Sequence, residues 1–345
     1  MNVFLFGATV LIWGTTWIAI ALQIGPVPVL ASVFYRFALA GVMLFAILAA
    51  TRRLSIPAWR HHPFIAAQAL CLFCCNFVCF YAATAYIPSG LVSVVFSLAT
   101  LFNVVLGRIL FGTAVTSRVA LAALLGVGGI GLLFWHDLAT KLDAGSPKGL
   151  ALAVCGTLFF SFGNMASRRN SAAGIPPSLA NAWGMTYGAI MLLVLIGLTG
   201  TPMPPPPDGT YLAALLYLAL VGSVIGFTTY LSLVARIGPS RSAYATVLFP
   251  IVALALSTAF EGYRWHWTGF LGIAVALGGN LLIFSGPAAR PNGPTEPRPG
   301  LTGDATPLRA RCACRARRRR PARRWRPCRP GCHGARSRPR RCRTR

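Results

Sequence analysis

Ten apolar stretches, each about long enough to cross a bilayer, fill the first 285 residues, and short polar connections separate them. A helix rises about 1.5 Å per residue, so a hydrocarbon core of about 30 Å takes about 20 apolar residues. Only 11% of the residues are charged, where soluble globular chains carry about 25%. The mean hydropathy of +0.64 agrees with this. The pattern predicts an all-α membrane protein and excludes a soluble fold of this size.

The expected spans are Val3–Leu22, Val29–Ala50, Phe64–Tyr86, Leu91–Phe111, Val119–Trp135, Gly149–Ala166, Leu179–Leu198, Tyr211–Val234, Ser242–Ala259 and Trp267–Phe284. The first lacks a basic leader and a clean small-residue cleavage site, and it carries Trp13 and Trp17. It is read as a retained span and not as a signal peptide.

The net charge of +26 belongs to two different materials. Residues 286–345 hold 19 arginines against Glu296 and Asp304, whereas the membrane body holds 13 basic and four acidic residues. The tail has almost no apolar periodicity, so it is expected to be disordered. Its Arg, Pro, Ala, Gly and Cys are what GC-rich codons yield out of frame, and a frame-shifted end is the preferred reading. Contact with anionic lipid headgroups is the alternative, and no specific nucleic-acid partner is expected.

Basic residues accumulate on the cytoplasmic side of a membrane. With the amino terminus inside, the inner loops carry Arg52, Arg53, Arg60, Arg118, Arg168, Arg169, Arg236 and Arg241. The outer loops then carry Lys141, Lys148 and Arg264, with Asp137, Asp143 and Glu261 beside them. A multi-pass protein of the cell inner membrane with both termini cytoplasmic follows.

Four cysteines, Cys71, Cys74, Cys75 and Cys79, lie near one face of the third span, and five more lie in the tail. Neither set has zinc-ligand spacing, and cysteine in a packed helix behaves as a small hydrophobe. No metal and no cofactor are expected.

The chain repeats itself. Gly7-x₆-Gly14 in span one is echoed by Gly156-x₆-Gly163 in span six, and Ile87-Pro88-Ser89 by Ile237-Gly238-Pro239-Ser240. Two copies of five spans would enter the membrane from opposite sides, giving inverted repeats over residues 3–136 and 149–285. Such repeats are the architecture of many secondary transporters, with a site near the midplane between halves.

At this point the residues resemble a known family. Trp13-Gly14-Thr15-Thr16, Arg36-Phe37 and Tyr86-Ile87-Pro88-Ser89-Gly90 are similar to the EamA branch of the drug/metabolite transporter superfamily. So are Gly238-Pro239-Ser240-Arg241-Ser242-Ala243-Tyr244, Phe249-Pro250, Phe260-Glu261-Gly262 and Gly278-Gly279-Asn280. The family's early proline and later glutamate of span four are Thr100 and Thr113 here; in the second half Pro250 is kept and Tyr263 stands near the acid Glu261. The resemblance implies a ten-helix carrier for small amino acids, metabolites or toxic compounds, often moved outward.

Several residues are candidates for the substrate pathway. Arg36 is an ionisable group about eight residues into span two, where burial is expensive and partners face inward. It suits an anionic group such as a carboxylate, or it serves structure by snorkelling or bonding carbonyls. Polar stripes at i, i+4 and i+7 share a helix face: Thr157, Ser161 and Asn164, then Thr9, Trp13 and Thr16, then Ser93, Ser97 and Thr100. They line a wet cavity or bond neighbouring helices. Trp17, Asn76, Tyr230 and Tyr244 are candidate walls, and Glu261 is a candidate coupling group beside its reading as a solvated loop acid.

The preferred function is a transporter, probable direction outward, for small metabolites such as amino acids or related compounds, working by alternating access. A membrane scaffold and an intramembrane enzyme are the alternatives. No P-loop is present, and no acid/base pair sits at membrane depth. The sequence carries no sign of an oligomeric state.

Overall fold

The computed structural model describes residues 2–112, 117–140, 145–237 and 245–284. Thr113, Ser240, Tyr244 and the Arg-rich tail lie outside these residues. Among the described residues there is no strand. In hydrocarbon the backbone must satisfy its own hydrogen bonds, which a helix does within one segment.

The helices are α1 (Asn2–Ala21), α2 (Val29–Ala50), α3 (His62–Ala69), α4 (Asn76–Thr84), α5 (Ser89–Phe96), α6 (Ala99–Phe111) and α7 (Ser117–Thr140). They continue as α8 (Gly145–Ala172), α9 (Pro177–Thr199), α10 (Gly209–Leu216), α11 (Gly226–Ile237), α12 (Ala245–Phe260) and α13 (Trp267–Phe284). Among the described residues, seven helical runs are long and apolar enough to cross a membrane, and three shorter apolar helices accompany them. Val42, Ile109, Leu124 and Leu198 point outward at 68–81% exposure, which suits a lipid-facing surface.

Proline starts helices and glycine ends them. Pro28, Pro88 and Pro176 sit at the N-cap positions of α2, α5 and α9, with extended backbone angles that release the chain into its first turn. Gly112 and Gly200 close α6 and α9 in the left-handed conformation, at φ 66° and 64°.

Three of the expected spans are not plain helices. Leu70–Cys75 joins α3 to α4 as a π-helical segment, and Tyr217–Ile225 joins α10 to α11 in the same way. The fourth span breaks between α5 and α6. There Ser97 N bonds Val94 O and Leu98 N bonds Val95 O, a tighter turn that Ser97 Oγ reinforces by donating to Val94 O at 2.6 Å.

Helices distant in sequence lie side by side. Along α2 and α9, Gly41 stands by Thr186 and Phe45 packs on Trp183 at 5.2 Å, so numbering falls along one helix as it rises along the other. The pair α7 and α13 is antiparallel too: Gly126 meets Gly279, Gly129 meets Ala276, and Leu133 meets Gly272. A Cβ on Gly129 would lie 2.6 Å from Gly272 O, so these two backbones touch. With lipid as solvent, close packing of this kind replaces the hydrophobic effect as the force between helices.

The remaining contacts follow one scheme. α1 packs on α12 and on the α10–α11 run, while α8 packs on the α5–α6 run and on the α3–α4 run. Exchanging the first five spans for the last five maps these four packings onto one another.

Candidate functional site

Near the midpoints of these runs the packing opens. Trp13, Thr16, Trp17 and Ile20 of α1 face Arg36 of α2 across a cavity. Leu72 and Asn76 enter it from the first π segment and the turn after it, and Gly222 enters from the second. Phe77, Phe80, Phe96, Phe160, Phe227 and Phe249 complete the wall from α4, α5, α8, α11 and α12. The space between these side chains amounts to about 570 Å³ with its open mouth.

The wall is built from ring contacts. Trp17 meets Phe80 edge-on at 5.3 Å and lies parallel to Phe249 at 6.3 Å. Phe96 meets Phe160 at 4.6 Å. Trp13 is flanked by Tyr230 at 4.9 Å and Phe227 at 5.8 Å. Aromatic pairs contribute about 0.5–1.5 kcal/mol each beyond their burial, so such a wall holds its shape.

Three polar groups interrupt it. Arg36 is 3% exposed, and among the described residues no carboxylate reaches it. Its Nε donates to Ser223 Oγ at 3.2 Å, its guanidinium lies 4.4 Å from the Phe77 ring centre, and Tyr81 is a further partner. Nη1 has none. Ser223 is itself set by the π segment, donating to Leu218 O five residues back at 2.9 Å. Asn76 is 1% exposed, and its Oδ1 also lacks a donor. Thr16 turns its hydroxyl to Trp13 O at 2.7 Å.

Of the residues anticipated from sequence, Trp13, Thr16, Trp17, Arg36 and Asn76 line this one cavity, and Tyr230 supports Trp13 from behind. The others among the described residues do not line it. Ser93 and Ser97 are fully buried and donate to Gly90 O and Val94 O of their own turns, as Thr100 does to Ser97 O. Ser161 reaches Ala99 O at 3.5 Å, and Asn164 Nδ2 reaches Asn103 Oδ1 at 3.4 Å, so both tie α8 to α6. Tyr244 lies outside the described residues.

The sequence reading missed the six phenylalanines. Phe is also the lipid-facing residue of membrane helices, and only a marker such as Arg36 nearby in space distinguishes the two uses. It missed Ser223 as well, because its role depends on the π-helical register.

Glu261 lies in the loop after α12 and is partly exposed, but it is not a free acid. Its carboxylate accepts from Ser89 N at 3.1 Å through both oxygens and from Ser89 Oγ at 2.7 Å. It caps α5, whose N-cap residue Pro88 has no side-chain acceptor. The cap links residues 172 positions apart and borders a second cavity of about 900 Å³ with its open mouth, lined also by Tyr86, Arg264 and His266.

The family model described as the EamA-like transporter family matches residues 1–135 and again residues 147–285. The uncharacterised inner membrane transporter YedA of Escherichia coli is 28% identical over 285 residues, which is 79% of this chain and 90% of that protein. A probable amino-acid metabolite efflux pump of Escherichia coli is 23% identical over 278 residues, or 78% of this chain and 90% of that one. Protein PecM of Dickeya dadantii is 29% identical over 185 residues, or 53% and 61%. A solved crystal structure shares the fold at a TM-score of 0.57 and 19% identity, covering 82% of this chain and 96% of its own.

Proposed function

The chain belongs to the EamA-like transporter family, and on that premise we propose that it exports small metabolites, amino acids or related compounds, by alternating access between two inverted five-helix repeats. It is a multi-pass membrane transporter, and the inner membrane location of its relatives is taken over to it. The repeats are residues 3–136 and 149–285, ten helices in all. Both termini face the cytoplasm, following the distribution of arginine.

The observation that carries this reading is the aromatic cavity with a buried arginine where the two sets of five spans meet. Supporting it, α2 and α9, which correspond in the two sets, run antiparallel, and so do α7 and α13. The two π segments stand at corresponding places, and π turns concentrate at functional sites. A site between inverted halves is reached from each side in turn as they rock.

In this reading Trp13, Thr16, Trp17, Arg36 and Asn76 contact substrate, and Tyr230 backs the wall. Ser93, Ser97, Thr100, Ser161, Asn164 and Tyr244 belong to the pathway in the opposite conformation. Glu261 couples the halves mechanically, as the latch on α5. A compound reaching the cavity crosses the membrane when the latch opens and the other end closes.

Single cysteines at Tyr86, which is exposed beside the start of α5, and at Ser240 test the architecture. Impermeant reagents should label them from opposite faces of the membrane, and labelling from one face overturns the inverted arrangement. Flux of amino acids and related metabolites from loaded vesicles tests the activity, and a rate no higher than that of empty liposomes for all of them overturns it.

A further inference from the structure

We infer that, among the amino acids and related compounds proposed above, the preferred ligand of this cavity is a carboxylate anion that carries a hydroxyl on the neighbouring carbon and a ring-sized apolar group, a 2-hydroxy acid rather than a zwitterion. The inference rests on the transport reading for its setting and on two unpaired atoms for its content.

Arg36 and Asn76 both line the cavity, both are at least 97% buried, and each keeps one atom without a partner. A buried polar atom left unpaired is costly, more so when charged, and a ligand that pairs with both atoms removes that cost. Nη1 is a donor on a permanent cation and calls for an anionic acceptor. Carboxylate is the planar match to a guanidinium. Asn76 Oδ1 is an acceptor and calls for an O–H or N–H. One small molecule answers both when its donor sits beside its carboxylate.

The charge balance selects between a hydroxyl and an ammonium. Among the described residues Arg36 is the only charged group lining the cavity, and no acid lines it. An ammonium would enter beside a fixed positive charge with only a neutral amide to receive it. The ring face best placed to receive a cation, that of Phe77, already holds the Arg36 guanidinium. A hydroxyl satisfies Asn76 without adding charge, and the bound pair of anion and Arg36 is then neutral. The rings of Trp13, Trp17 and Phe249 take the apolar group.

Trp13 and Trp17 report on their own cavity, so binding is read from tryptophan fluorescence of the purified full chain in detergent. The probes share one ring: 3-phenyllactate, phenylalanine, 3-phenylpropionate and 2-phenylethylamine. 3-Phenyllactate should bind at least tenfold tighter than the other three. Arg36→Gln should weaken it at least tenfold, with Arg36→Lys partly restoring it. Asn76→Asp is the second variant: it puts an acid in the wall of a cavity whose ligand is an anion and should abolish acid binding while the protein stays folded.

Tighter binding of phenylalanine or of the amine overturns the charge assignment. Equal binding of 3-phenylpropionate overturns the hydroxyl. Acid binding unchanged in both Arg36→Gln and Asn76→Asp overturns the site. Vesicle flux separates this failure from failure of transport: if the amine is carried and the acid is not, the transporter reading stands and the ligand class falls.

Discussion

Replacing Glu261 with Ala removes the cap that joins the first set of five spans to the second at the start of α5. Two interactions are lost, the backbone N–H of Ser89 shared by both carboxylate oxygens and the Ser89 hydroxyl at 2.7 Å. A missing N-cap costs about 0.5–2 kcal/mol, and a hydrogen bond to a charged group contributes about 1.5–3 kcal/mol. Glu261 is half-buried, so water replaces part of what is lost. We take about 2 kcal/mol for Glu261→Ala and about 1 kcal/mol for Glu261→Gln, which keeps one acceptor and loses the charge.

At about 1.4 kcal/mol per factor of ten, the population open at this end rises about 30-fold for Ala and about 5-fold for Gln. The assay is the rate at which an impermeant maleimide, added on the Glu261 side, labels Thr16→Cys in a background without the ten native cysteines. A rate within twofold of the parent for Glu261→Ala, with an unchanged melting temperature, would refute the latch. A rise that is equal for Ala and Gln would refute the role of charge.

Three other perturbations follow from the same structure. Gly129→Val puts side-chain atoms into the backbone of α13 and should destabilise the protein by about 1–3 kcal/mol, read as a lower melting temperature in detergent. Trp13→Ala removes the ring between Phe227 and Tyr230 and should lower vesicle flux at least tenfold with near-normal membrane insertion. Gln68→Leu strands Asn181 and Asn170, which it joins at 3.1 and 3.0 Å across α3, α8 and α9. Denaturation should show a loss of about 1–3 kcal/mol, whereas Gln68→Glu should lose less than Leu.

Much of the fold was legible because a membrane span is a local property. The second span was expected over Val29–Ala50 and forms over those residues, bounded by Pro28 and by the arginines beyond Thr51. The π segments were not legible: Leu70–Cys75 and Tyr217–Ile225 are as apolar as any α-helical stretch, and hydropathy does not distinguish a five-residue from a four-residue hydrogen-bond step. In the site, Arg36 announced itself because a cation in a hydrophobic run needs a reason. Phe160 did not. It lines the cavity, while Phe159 and Phe162 on the same helix are 36% and 40% exposed. The residue type is identical, and rotation about the helix axis makes the difference.

The polar stripe Ser93, Ser97 and Thr100 shows the converse. Periodicity put the three hydroxyls on one face, but each found a carbonyl within its own turn, and the result is a break in the helix. Glu261 was legible as an acid and not as a cap, because its partner Ser89 is 172 residues away.

The amino-acid order alone settled that this is a helical membrane protein and the family to which it belongs, since the transfer of each stretch from water to lipid depends on that stretch's own side chains. Tertiary structure decided which faces meet. Residues as far apart as Trp13 and Phe249 enclose one cavity only after α1 packs on α12, and the unpaired atoms of Arg36 and Asn76 gain their meaning from that enclosure.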